Sequence, residues 1–144
     1  MYEVFLMLHS WLRWLLLISL VVTIGKYLAG WLGNQPWRKT DNALGIVFTS
    51  LMDLQFLIGL VLYFFLSPVT IMALSDFGAA MKDDGLRFYA VEHFLMMLIA
   101  VVLAHIGRAK SKKSQTDKGK FKTATIFFIL ALALIVAAIP WDRV

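Results

Sequence analysis

Two histidines, His9 and His93, stand near corresponding ends of two long apolar segments of this 144-residue chain, and their placement points to iron chemistry. Each lies about five residues past the start of its segment, or roughly 7 Å along a helix at about 1.5 Å per residue. If the two segments cross a bilayer in the same direction, both imidazoles reach one level, as the two axial ligands of a haem must. The chain has no cysteine, which excludes disulfides, thiolate catalysis, cysteine-bound iron–sulfur clusters and covalent haem attachment through C-x-x-C-H. The candidate metal ligands are therefore His9 and His93, and the candidate cofactor is one non-covalent haem b. The competing reading is that each imidazole bonds only to a carbonyl of a neighbouring helix and holds no cofactor.

The other polar residues inside the apolar segments need partners or a task, because an ionisable side chain in hydrocarbon is costly. They are Arg13, Asp53, Gln55, Glu92 and His105. Arg13 falls one turn after His9 on the same face, at about 12 Å depth, where Asp53 is also expected from the opposite end of its segment. An Arg13–Asp53 ion pair is the expectation, with Arg13 also biasing the potential at the cofactor or meeting one of its carboxylates. His105 lies twelve residues beyond His93, or about 18 Å, at the level where a second haem would sit. The matching level of the first segment holds Val21, Val22 and Thr23, so one haem at most is expected. His105 is read as interfacial, with a quinone pocket or proton carriage as its functional alternatives. Glu92 projects about 100° away from His93 and cannot orient that imidazole. Arg87 and Lys82, near the outer boundary, are candidates for haem propionates or for lipid head groups. Met7, Met52, Met96 and Met97 are read as packing residues, and Trp11, Trp14, Trp31, Trp37 and Trp141 as interfacial belts.

The elements that must position these groups are membrane spans. Composition is 60% hydrophobic with mean hydropathy +0.77, too apolar for a soluble domain, and the length suits about four spans of roughly 20 residues. The apolar segments run approximately 4–31, 43–66, 86–106 and 121–139, forming one all-α domain, a four-helix up-down-up-down bundle. Gly33 to Pro36, Ser67–Pro68 and Pro140 punctuate them, and Thr40 or Asp41 is a candidate cap. The stretch from Val69 to Gly85 mixes apolar and acidic residues and reads as a short helix or loop on the membrane surface. No cleaved signal peptide and no internal repeat are recognised.

Of the fourteen Lys and Arg residues, ten fall in the first and third connections: Lys26, Arg38, Lys39, Arg108, Lys110, Lys112, Lys113, Lys118, Lys120 and Lys122. That asymmetry places those loops inside and both termini and the middle loop outside, which in a bacterial inner membrane is the periplasm. The net charge of +5 is explained by topology, so no nucleic-acid partner is expected.

The runs His9-Ser-Trp-Leu-Arg13-Trp, Leu57-Ile-Gly-Leu-Val-Leu-Tyr63, Arg87-Phe-Tyr-Ala-Val-Glu-His93 and Ile139-Pro-Trp141 resemble a group of small bacterial four-helix membrane proteins labelled cytochrome b-like. The likeness covers nearly the whole chain. It implies haem b and a respiratory setting, with His9 and His93 as ligands. The expected function is an electron-transfer subunit more than a stand-alone enzyme, working with a quinol pool or a respiratory partner. The expected partners are membrane lipid, another membrane protein or a second copy, and possible quinone. The alternatives are a cofactor-free accessory subunit of a larger membrane complex and a small proton or solute conduit through Glu92, Asp53 and His105.

Overall fold

The computed structural model describes residues 1–143, which are almost wholly helical, and no strand occurs among them. Val144, part of the C-terminus assigned to the outside, lies beyond the described residues. Helix α1 spans Tyr2–Leu32, and α2 spans Lys39–Val61 and continues through one π-helical turn, Leu62–Leu66. Short helices α3 (Pro68–Ser75) and α4 (Phe77–Ala80) follow. Helix α5 (Asp84–Arg87) runs through a second π-helical turn, Phe88–Glu92, into α6 (His93–Lys113), and α7 spans Asp117–Ala138. Four of these runs, 2–32, 39–66, 84–113 and 117–138, are long and apolar enough to cross a membrane.

Local chemistry sets the boundaries. Asn34 takes a left-handed conformation, φ 50°, which Asn tolerates and which ends α1. Helix α2 begins four residues before its apolar run, because the Asp41 carboxylate accepts the Arg38 backbone N–H at 2.9 Å and organises the first turn. That carboxylate is fully buried, and Lys26 of α1 lies 2.9 Å from its other oxygen. Helix α6 outruns its apolar segment as far as Lys113, since Lys and Arg are good helix formers that suit the negative end of the dipole. The Thr116 hydroxyl then accepts from the Gly119 N–H at 3.0 Å and starts α7 after a very short turn.

Helix α1 packs against α2 and α7, and α6 packs most closely against α7 and more sparingly against α2. The α6–α7 contact is explained by small residues. Ala100, Ala104, Gly107 and Ser111 recur every three or four residues of α6 and are buried, as are Ala124, Phe128, Ala131 and Ile135 of α7. Gly107 has no room for a Cβ, which would collide with the Phe127 side chain. At the Lys26 end of the bundle, Tyr27, Phe48, Phe121 and Phe128 are buried together, and the Tyr27 hydroxyl donates to the Asp41 carbonyl at 2.6 Å. That end is filled. The open space lies at the other.

Candidate functional site

A cavity of about 360 Å³ lies between the helices at the end of the bundle that carries His9 and His93, near the lower limit of the roughly 300–1,000 Å³ usual for ligand sites. Its walls are largely apolar, including Leu6, Leu16, Met52, Phe56, Phe94 and Met97. Both histidines line it, with ring centroids 6.5 Å apart and ring planes at 73°. The two imidazoles that helix rise sets at one level thus face the same cavity.

His93 is oriented by the end of α7. Its Nδ1 lies 2.7 Å from the Ala138 carbonyl. With a carbonyl as the only partner, Nδ1 carries the proton and Nε2 keeps its lone pair. Ala138 is free to accept because Pro140 stops α7 just beyond it, leaving the last carbonyls without helical donors. The Trp141 indole N–H satisfies another of these, the Val136 carbonyl, at 2.9 Å. The π-helical turn before His93 also matters, since a wider turn rotates every following residue around the axis.

His9 is held differently. Gln55 of α2 donates its side-chain N–H to the His9 main-chain carbonyl at 2.9 Å, fixing the backbone and not the ring. The ring rests against Gly59, where a Cβ would come 3.3 Å from Cε1. Its Nδ1 is buried without a hydrogen-bond partner, as are Arg13 Nε and Gln55 Oε1. Buried polar atoms are normally paired, and these three leave hydrogen-bonding capacity around one cavity that a bound group or water would meet.

Iron held between two imidazoles places their centroids roughly 6 Å apart, from two metal–nitrogen bonds of about 2 Å plus half of each ring. The observed separation matches. Rotating a ring about its metal–nitrogen axis leaves ligation intact, so the 73° angle is compatible with it. Among the described residues no three His, Cys, Asp or Glu side chains gather. Two imidazoles alone suit an iron whose other four ligands come from a macrocycle better than a bare ion. The residues present fit a haem.

Other expected placements are corrected. Arg13 does not pair with Asp53. Its guanidinium lies 5.2 Å from the centre of the Trp14 ring, and it lines the cavity. Asp53 points out of the bundle and meets His105, with Oδ1 and Nε2 2.6 Å apart. The cause is rotational setting, since Met52 takes the inward position of α2 and its neighbour must face roughly 100° away. His105 is thus half of a polar pair. Arg87 is not part of the cavity wall. It bonds Glu92 at 3.0 Å, Asp84 at 3.0 Å and the Met81 carbonyl at 3.1 Å. The cationic side chain at the mouth is Arg143, which lines the cavity and lies 5.1 Å from the Tyr89 ring. Sequence reasoning named neither it, nor Gly59, nor the Ala138 carbonyl in this role. The stop signal at Pro140 was the available clue to the last.

No family model matches this chain, and neither a curated protein nor a solved structure shows significant similarity to it.

Proposed function

We propose that this chain is a haem b-binding electron-transfer subunit of a membrane, resembling the cytochrome b-like group, that works with a quinol pool or a membrane-protein partner. The observation that carries the reading is the His9–His93 pair, 6.5 Å apart across an apolar cavity with one imidazole oriented by a main-chain carbonyl. A carbonyl on the far nitrogen of a ligating histidine sets the tautomer and raises ligand basicity. When bound, haem b supplies a one-electron couple at iron. The protein's part is to hold the group through His9 Nε2 or Nδ1 and His93 Nε2, and to exclude water with Leu16, Met52 and Phe94. Arg13 at the deeper end and Arg143 at the mouth offer cationic partners for propionates.

We also infer that the four long helices insert as an up-down-up-down bundle with the basic loops in the cytoplasm and the cavity near the periplasmic face of a bacterial inner membrane. The charge asymmetry of the loops supports that orientation.

Optical and electron paramagnetic resonance spectra of protein purified from haem-replete cells test the reading. One low-spin bis-imidazole haem b is expected, lost in His9→Ala and in His93→Ala and retained in His105→Ala. Folded, colourless protein would overturn it and leave the His93–Ala138 bond as a packing contact of a cofactor-free accessory subunit.

A further inference from the structure

Met52 and Val101 belong to the cavity wall, and directly behind them α2 and α6 carry a second polar pair. Asp53 follows Met52 in the chain, and His105 is one turn beyond Val101. Their side chains, 52% and 48% exposed, turn outward and meet at 2.6 Å. Asp53 is 14 residues from Lys39 and 13 from Leu66, at mid-length of its run, while His105 is 21 residues from Asp84 and 8 from Lys113, so the pair sits within the two apolar runs toward the Lys113 end. Its neighbours on the surface, Leu54, Leu57, Val102 and Ile106, are exposed and apolar.

Asp53 occupies Nε2 of His105, and Nδ1 has no hydrogen bond among the described residues. A carboxylate on one nitrogen and a free second nitrogen make an oriented base. A base in that position is reached from the bilayer, so its substrate is lipid-soluble and carries a weakly acidic hydroxyl. Phospholipids keep their polar groups at the interface, whereas the head group of a tailed hydroquinone reaches this depth.

We propose that the outer face of α2 and α6 at Asp53 and His105 docks the head group of a lipid-soluble hydroquinone, with His105 Nδ1 accepting its hydroxyl proton. The electron-transfer part rests on the haem reading above. Conversion of hydroquinone to quinone breaks two O–H bonds and releases two protons and two electrons. It would take two one-electron steps, in each of which His105 Nδ1 takes one hydroxyl proton and a haem bound by His9 and His93 would accept the electron across the Met52–Val101 layer. Between the steps the proton would leave His105 toward the solvent at the Arg108 end of α6, three residues on, and a one-electron oxidant, the ferric haem of a partner protein, would take the electron.

The test uses the full chain in lipid nanodiscs and a decyl-tailed benzoquinone. Saturable binding is expected, weakened about tenfold or more in His105→Ala and unaffected in haem-free His9→Ala. Reduction of the haem by the corresponding hydroquinone should slow by roughly a hundredfold in Asp53→Asn and His105→Ala, with dithionite reduction unchanged. Colourless protein that still binds the quinone through His105 keeps the docking site and removes the haem reading. Binding that is absent, or indifferent to both substitutions, overturns the site. So does a wild-type dimer that His105→Ala converts to a monomer, which would make the pair a contact between copies.

Discussion

The His93 imidazole and the Ala138 carbonyl, 2.7 Å apart, tie the start of α6 to the end of α7. The His9 ring makes no such bond. In haem-free protein His93→Ala should therefore cost about 1–3 kcal/mol, the usual penalty for stranding a buried acceptor, and more than His9→Ala. Unfolding curves of the two haem-free variants compare them, and equal losses would show that the carbonyl bond contributes nothing.

Asp53 and His105 should couple in a double-mutant cycle of Asp53→Asn with His105→Gln. The pair is half exposed, so the coupling is expected to be about 0.5–1 kcal/mol. Asp53→Asn combined with Arg13→Gln should add within roughly 0.5 kcal/mol, as separated sites do. Strong coupling of Asp53 to Arg13 would contradict the outward placement of the carboxylate.

Gly59 gives the His9 ring its space, and a Cβ there would stand 3.3 Å from Cε1. Gly59→Val should displace the imidazole, lowering haem retention while the helical circular dichroism stays at the wild-type level. Undiminished low-spin haem in this variant would mean that His9 is not a ligand.

Gly107→Ala pushes a methyl into the Phe127 side chain at the tightest helix contact. A loss of about 1–3 kcal/mol is expected from overpacking, and Phe127→Ala should recover part of it. Thermal unfolding in detergent measures both.

Reporter fusions at Asp76 and at Gln115 should give opposite compartment signals, outside and inside respectively. Identical signals would sink the four-span topology.

The long apolar helices were legible because length and hydropathy alone define them, and the interior ends of the apolar runs differ by one to seven residues from the helices that contain them. That His9 and His93 come to one level was legible for a related reason, since axial rise depends on residue count and nothing else. Rotation was not legible. Where nearly every residue is apolar, no polar stripe says which face of a span turns inward, so Asp53 was assigned to Arg13 instead of to His105. Main-chain contributions such as the Ala138 carbonyl carry no side-chain signature, and the three short helices between Pro68 and Arg87 could only be read as a surface segment.

The cavity draws its walls from both extremes of the chain, with Tyr2, Leu6 and His9 on one side and Ile135, Ile139, Pro140 and Arg143 on the other. During synthesis the first of these residues emerges long before the last. A nascent chain thus carries His9 and then His93 without the carbonyl that orients the second imidazole. On the haem reading proposed above, cofactor capture would be the final event of biogenesis, once α7 lies beside α1. On that reading, interrupted translation would leave a chain without the far wall of the cavity and without the carbonyl that orients His93.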